Sequence, residues 1–432
     1  MKQAITDPSS APEGGLPPIT RVPALWIFLG LVGGLALGLG LAFAAPAALP
    51  PILAVAGPLG DLWLRALRAT ILPLVVALLF TGVVQTVAAA RAGAMARRAL
   101  AWFMVVLVGG SAMAGLFTPA LLALVPIPQG AGAALRANVG AAAAGTATTM
   151  PSFADFVTSM VPVNVVTSAA ADAILPVILF TGVFAMAATR LAAAPRQSLT
   201  TFFEAIAGAM LVVIGWVLWC GPVGVFALSL VVAAKSGTAA IGALAHYVMI
   251  VALTGTVVFL AAYPLAALAG KQPLVCFARA MLPSQALALS TQSSLASLPA
   301  MLNACRSLGL RDSTSELVLP LAVALFRATG PAMNFAVAIY VAHWFGVPVD
   351  AWHMLAGFAV ASVMSFGAVS LPGTISFVTS IGPIALAMGV PVEPLALLVA
   401  VEMLPDLMRT LGNVTMDVAV TAAVAARDDL SV

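Results

Sequence analysis

The sequence predicts an all-α polytopic membrane protein: about eight membrane-crossing helices plus two re-entrant helical hairpins, built as inverted repeats. Three observations predict it. The 432 residues are 62% hydrophobic and 8% charged, with mean hydropathy +1.12. Soluble domains run about 25% charged, so no water-facing surface can be built from this composition. Long apolar spans alternate with short segments that hold most of the arginines and lysines. Two further stretches are apolar at both ends and small and polar at the centre, and they share the tripeptide Ser-Leu-Pro.

Residues 1–22 are polar, with Asp7, Glu13, four prolines and two serines, and read as a disordered cytoplasmic tail. Ala42-Phe-Ala44 resembles a signal-peptide cleavage site, but the apolar run before it is too long and its leader is not clearly basic. Residues 24–45 therefore read as the first membrane helix. Apolar spans fall at about 23–45, 51–89, 99–126, 168–189, 201–233, 240–268, 317–346 and 395–426. Several exceed the roughly 20 residues needed to cross, which predicts tilting or bending. Arg91, Arg97 and Arg98 follow the second span, Arg190 and Arg196 the fourth, and Lys271 and Arg279 the sixth, while Arg306 and Arg311 precede the seventh. The opposite-side loops hold mainly Arg136 and Lys235, so the positive-inside rule places both termini in the cytoplasm.

A net charge of +3 and a pI near 9.0 do not point to nucleic acid, because the basic residues stand singly or in small groups between apolar spans. The 36 glycines and many alanines suit close helix packing in lipid. Cys220, Cys276 and Cys305 are far apart, form no CxxC and are expected in buried apolar packing. His246, His343 and His353 are equally scattered and make no metal cluster, and no cofactor is implied.

The two unusual stretches are 272–305, with Ser290-Thr-Gln292-Ser293-Ser294-Leu-Ala-Ser297-Leu-Pro299, and 352–388, with Ser365-Phe-Gly367-Ala-Val-Ser370-Leu-Pro372-Gly373. Each precedes a long span. Irregular backbone at membrane depth is tolerated only where it is buried or lines a cavity, so both read as hairpins whose tips face a site.

The likeliest site is the segment from Glu402 to Asp417, set between apolar flanks. An ionised group near the bilayer centre costs at least roughly 2.5 kcal/mol. Asp406, Arg409, Asn413 and Asp417 are spaced three, four and four apart, so one helical face carries them all. That face must meet protein, water or a ligand.

These residues resemble the dicarboxylate/amino acid:cation symporters, the family that includes the glutamate transporters. Asp406-Leu-Met-Arg409-Thr-Leu-Gly-Asn413-Val-Thr415-Met-Asp417 is similar to the final-helix motif of the acidic amino acid members. The serine-rich segment ending at Leu298-Pro299 resembles the first hairpin tip, and Gly367 to Gly373 the second. Pro58-Leu-Gly-Asp61 with Arg65, Arg68 and Leu72-Pro73-Leu, then Val161-Pro-Val-Asn164 and Gly221-Pro-Val-Gly-Val-Phe226, add further matches.

The resemblance implies a glutamate-transporter-like elevator fold and a homotrimer, multi-pass in the plasma membrane, in a bacterium the inner membrane. It implies a scaffold of about 23–90 and 168–235. A mobile transport domain would span about 94–126 and 240–427, including both hairpins. In the substrate site Arg409 would pair with the side-chain carboxylate, Asp406 would take the ammonium and Asn413 would bond the backbone carboxylate. Thr410, Gln292, Ser293, Ser294, Ser370, Thr374 and Gly330 would complete it. Members that carry plain C4-dicarboxylates tend to have Ser at the position of Asp406, and those for neutral amino acids lack the arginine. Keeping both points to aspartate or glutamate. A C4-dicarboxylate or neutral amino acid carrier is the alternative within transport.

The chain departs from the family at its sodium site. Sodium-coupled members carry Asn and Asp in the seventh helix where this chain has Phe326 and Ala328, and adjacent Thr and Ser in the third helix where it has Val106 and Leu107. Hard cations need oxygen ligands, so sodium coupling is expected to be absent. If a cation site remains, Asp417 and Asn413 are its ligands. Arg327 stands mid-span and needs a partner, Asp417 first and Glu402 second. The expectation is a tethered cation in the electrostatic role of sodium; the alternative is an arginine in a water-filled vestibule. Proton coupling through Glu402 or Asp417, exchange and uncoupled transport remain open. No nucleotide loop, metal cluster or nucleophile–base set suggests an enzyme. An anion-conducting channel and a non-transporting receptor are the readings from other classes.

Overall fold

A computed structural model describes residues 24–91, 93–127, 158, 161–171, 174–236, 239–365 and 373–428. The tail 1–22, Arg136, and the Ser370-Leu-Pro372 half of the internal repeat lie outside them. All regular elements among the described residues are helical, and several are apolar enough to cross a bilayer, so the chain is a polytopic membrane protein.

Helix α1, Ala24–Ala44, carries no charge and no continuous core of its own. Its Gly30, Gly34 and Gly38 recur every four residues and make one face without side chains. That face lies on α8, Gly221–Ser236. A Cβ on Gly30 would come 2.5 Å from the Pro222 carbonyl oxygen, and one on Gly38 would come 2.5 Å from that of Leu230. A Cβ on Gly34 would strike the Phe226 carbonyl and the Ser229 hydroxyl. Lipid tails are as apolar as leucine, so contact of this closeness is what holds two such helices together.

Five expected spans each fall on two helices in the structure. The span at 51–89 becomes α2, Leu49–Ala69, and α3, Ile71–Arg91. The Thr70 hydroxyl donates to the Leu67 carbonyl at 2.8 Å, and Pro73 has no N–H to continue the ladder. Helix α4, Ala94–Leu124, is one long span. The span at 168–189 becomes α5, Val165–Ala170, and α6, Ile174–Ala188. Asn164 caps α5, its Oδ1 accepting from the Val166 and Thr167 N–H groups at 2.9 and 3.2 Å. The span at 201–233 becomes α7, Ala193–Trp219, and α8, parted at Cys220 by Gly221-Pro222. The seventh span breaks at Phe326–Thr329, as described below. Helix α9, Ala239–Leu268, is unbroken.

The stretch 272–305 is two helices, α10 (Leu274–Thr291) and α11 (Ser294–Ser307). Gln292 ends α10 in the left-handed region at φ 52°, and the Ser293 hydroxyl caps α11 by accepting from the Ala296 N–H at 3.2 Å. Helices α12, Asp312–Leu325, and α13, Gly330–Phe345, follow. The stretch 352–388 holds α14, Ala351–Met364, and α15, Gly373–Ala387. A short turn, α16 (Leu395–Leu398), precedes the last helix, α17 (Met403–Asp428).

Helix α17 is the axis of this half of the chain. It packs on α9, α10, α11 and α12, while α13 packs on α4 and α9. Gln285 of α10 donates to Tyr263 of α9 at 3.0 Å and to Thr415 of α17 at 3.2 Å, which fastens the first broken segment to the axis. Ser362 of α14 donates to Ser111 of α4 at 3.1 Å. Of the three cysteines only Cys305 is buried; Cys220 and Cys276 are exposed, a correction to the expectation of buried packing for all three. On a membrane protein an exposed apolar side chain meets lipid, so the thiols gain nothing from an interior position.

Two outcomes follow from this packing. Gly34→Ala overfills the α1–α8 contact and lowers stability by roughly 1–3 kcal/mol, whereas Gly40→Ala, where a Cβ meets open space, does not; thermal unfolding of the purified variants in detergent compares the two. Asp350 caps α14, its Oδ1 accepting from the Trp352 and His353 N–H groups at 3.0 and 2.9 Å and from His353 Nδ1 at 2.7 Å. The His353 backbone N–H first, then the His353 ring, holds this carboxyl below the usual carboxylate range. A depressed carboxyl adds stability above its unfolded value and loses it as pH falls through the folded one. Asp350→Ala therefore costs about 1 kcal/mol at neutral pH, and the gap to the unaltered chain closes toward pH 3 in the same unfolding assay.

Candidate functional site

The polar face of α17 is buried. Asp406, Arg409, Thr410, Asn413, Asp417 and the preceding Glu402 are all at most 7% exposed. Pro405 stands in the first turn of α17, where a missing N–H costs no helical bond, and the Asp406 N–H bonds the Glu402 carbonyl at 2.9 Å to start the helix.

Arg409 is the centre of this face. Its Nη2 donates to Glu402 Oε1 at 2.6 Å, its Nε lies 3.2 Å from Asp406 Oδ1, and its Nη1 donates to Asn334 Oδ1 of α13 at 2.8 Å. The hydroxyl of Tyr247, on α9, donates to Glu402 Oε2 at 3.2 Å. A planar guanidinium has its donors in a fixed fork, so three acceptors fix its orientation. The pairing is internal: in this structure Arg409 is neutralised by the chain's own carboxylates.

The second wall is the break between α12 and α13. Phe326 is extended (φ −111°, ψ 104°), and α13 restarts at Gly330-Pro331. Proline is at home in a first helical turn, where its fixed φ suits the start and its N–H is not needed. The exposed backbone of the break is satisfied from α17. The Thr329 N–H donates to Asn413 Oδ1 at 2.9 Å, and Thr329 Oγ1 lies 2.9 Å from the same oxygen and 3.1 Å from the Arg409 carbonyl. Gly412 permits this approach, since a Cβ there would strike Thr329 Cγ2. On the other side the Phe326 ring stacks flat on Phe103 of α4, with centroids 4.4 Å apart and planes at 6°. Ala328 and Leu107 are wholly buried beside it.

Between these walls lies a narrow cavity. Arg327, Arg409, Asn334 and Asn413 line it, with Ser365 at the end of α14, Ser380 of α15, Gly330 and Met364. Two guanidiniums, two amides and two hydroxyls facing one small cavity suit an anion with several oxygen acceptors.

The structure brings Arg327, Arg409, Asn413 and Gly330 together at the cavity, with Glu402 and Asp406 on Arg409. Gln292, Ser293 and Ser294 form the tip between α10 and α11 and are not among the cavity's lining residues. Ser370 and the side chain of Thr374 lie outside the described residues. Both carboxylate oxygens of Asp417 are buried with no hydrogen-bond partner among the described residues.

Sequence reasoning missed Asn334, Thr329 and Tyr247. A lone amide in a mostly apolar helix was the available signal for Asn334. Tyr247 carried a similar signal, a hydroxyl inside an apolar span. Thr329 had none, because its part is set by the break. Gly412→Ala should displace Thr329 from Asn413 and loosen the cavity; the expected loss is roughly 1–3 kcal/mol, read as a lower unfolding temperature together with weaker ligand-induced stabilisation.

Comparison with known proteins places this geometry among relatives. Residues 24–427 match the family described as "Sodium:dicarboxylate symporter family". The chain is 27% identical over 397 residues to a proton/sodium-glutamate symport protein of Bacillus subtilis (strain 168), covering 91% of this chain and 89% of that relative. It is 28% identical over 371 residues to the proton/glutamate-aspartate symporter of Escherichia coli (strain K12), covering 83% and 82%. It is 25% identical over 378 residues to a C4-dicarboxylate transport protein of Rhizobium etli, covering 85% and 82%.

Proposed function

The chain belongs to the sodium:dicarboxylate symporter family, and we propose that it is a secondary active transporter of acidic amino acids, aspartate or glutamate, rather than an enzyme or a channel. The observation that carries this reading is the convergence of Arg409 and Arg327 with the Asn334 and Asn413 amides on one cavity. The names of two relatives, a proton/sodium-glutamate symport protein and a proton/glutamate-aspartate symporter, agree with it.

In this reading Arg409 holds the substrate side-chain carboxylate, Asn413 the backbone carboxylate and Asp406 the ammonium. Thr410 and Gly330 shape the floor. The hairpin tips, with Gln292, Ser293 and Ser294 on one side and Ser370 and Thr374 on the other, close over the ligand. The fold is the elevator of about eight crossing helices and two re-entrant hairpins. Its scaffold is about 23–90 and 168–235, and its moving part is about 94–126 and 240–427. The packing of α17 on α9 to α12, and of α13 on α4 and α9, supports this grouping. The assembly is a homotrimer in a bacterial inner membrane with both termini in the cytoplasm.

Coupling is sodium-independent in this reading, because carbon stands at Val106, Leu107, Phe326 and Ala328 where the sodium-coupled pattern has oxygen. A carboxylate that enters Arg409's fork competes with Glu402. A buried carboxylate stripped of its partner costs about 3–5 kcal/mol, and a proton removes that cost, so Glu402 is the first group to examine for proton coupling, with Asp417 second.

A C4-dicarboxylate carrier is the second reading. One observation favours it: Asp406 already faces Arg409 Nε at 3.2 Å and is partly committed before any ammonium arrives.

A ligand thermal-shift screen separates these readings. L-aspartate or L-glutamate at about 100 times its Kd should stabilise the chain by about 2.7 kcal/mol, with sodium replaced by choline as well as with sodium present. Arg409→Ala should abolish that response. Succinate outperforming aspartate would favour the dicarboxylate reading, and serine outperforming both would refute an acidic substrate. Uptake into liposomes with a steep sodium requirement would refute sodium independence.

A further inference from the structure

We propose that the Arg327 guanidinium is a resident cation for Asp417, a charge tethered by the chain in the place where a bound ion would otherwise balance that carboxylate. The inference rests on the reading of the neighbouring cavity as an anionic-substrate site.

Asp417 poses the problem. It is 0% exposed, in the middle of α17, and neither oxygen finds a hydrogen-bond donor among the described residues. The hydroxyl one turn further on is engaged elsewhere: Thr421 donates to the Asp417 backbone carbonyl at 2.7 Å. An ionised carboxylate so enclosed is costly without an opposite charge. Asn413, one helical turn before Asp417 on the same face, is bonded to Thr329 of the break that carries Arg327, so that break is the wall this face of α17 packs against.

Arg327 is placed to serve. It stands in the break between α12 and α13, with its side chain half-buried at the cavity wall. The charges around it are Asp406, Arg409 and Asp417, all on α17. Arg409 is already committed to Glu402, Asp406 and Asn334. Three carboxylates, Glu402, Asp406 and Asp417, therefore face two guanidiniums, and Asp417 depends on Arg327.

The surroundings do not suit an added metal cation. The residues on either side of Arg327 present carbon: Phe326 is stacked on Phe103, and Ala328 is buried. The Arg327 carbonyl accepts from the Gly330 N–H at 2.9 Å. A hard cation needs several oxygens, and a second positive charge beside a guanidinium is repelled. A tethered charge travels with the protein and consumes no gradient, so it holds Asp417 in order in every state of the cycle.

The test uses the full chain purified in detergent, with L-aspartate affinity read by thermal shift or calorimetry in choline medium. The unaltered protein should bind without sodium. Arg327→Ala should weaken binding on the order of tenfold and regain it, saturably, with added guanidinium ion. Arg327→Lys should keep most of the affinity. Arg327→Ala combined with Asp417→Asn should bind better than Arg327→Ala alone, since the double variant no longer buries the Asp417 carboxylate. That recovery reports the charge pair and would not follow from a merely structural role.

Arg327→Ala with unchanged affinity and no cation response overturns the proposal. So does a strictly additive double variant, or a sodium requirement in the unaltered protein. If an Arg327 variant fails to elute as a monodisperse species, Asp417→Asn decides: with its carboxylate gone it should bind aspartate in choline medium, and a sodium response in that variant or in the parent overturns the idea. Absence of acidic-ligand binding to the unaltered protein is a different result, because it refutes the substrate reading on which the proposal stands.

Discussion

The structure depends on one guanidinium. Arg409 lies inside a membrane protein and joins Glu402, Asp406 and Asn334 by contacts of 2.6 to 3.2 Å. Through Asn334 it fixes α17 against α13, and through Glu402 and the Tyr247 hydroxyl it fixes α17 against α9. A buried ion pair adds little net stability over apolar packing, but breaking one leaves an uncompensated charge. The rotation of α17 about its own axis is therefore not negotiable. Asp406, Asn413 and Asp417 face the same way because Arg409 does.

The broken helix α12–α13 is the second constraint, and it follows from the first. Irregular backbone at membrane depth must find its hydrogen bonds inside the protein. Thr329 finds them on Asn413 and on the Arg409 carbonyl, and the contact closes because Gly412 has no side chain. The same economy of volume works at α1 and α8, where Gly30, Gly34 and Gly38 let two apolar helices touch. Small residues thus do two jobs: they hold helices together where water cannot drive association, and they let a broken backbone reach its partners.

Much of the site was legible before any coordinates. The spacing of Asp406, Arg409, Asn413 and Asp417 put them on one face, and α17 buries all four. The first of the two polar-centred stretches breaks where its composition changes, at Gln292-Ser293. Less legible were the divisions at Thr70 and Cys220. A hydropathy run does not register a proline that costs one hydrogen bond, so each pair of helices read as one long span. The cysteines were misjudged for a related reason, since burial habits learned from soluble proteins do not transfer to a surface bathed in lipid.

By itself the sequence determined the solvent, the helical class and the face of the last helix that must be shielded. These follow from residue type and spacing, because the cost of a charge in lipid and the 3.6-residue period need no neighbours to be evaluated. Only the tertiary structure decided who shields it. Asn334 is 75 residues from Arg409 and Tyr247 is 155 from Glu402, and nothing in either interval announces the contact. Hydrogen bonds and ion pairs act over a few ångströms of space, whatever the distance along the chain. The acceptors of Arg409 and the charge facing Asp417 existed as assignments only once α9, α13 and α17 were packed together.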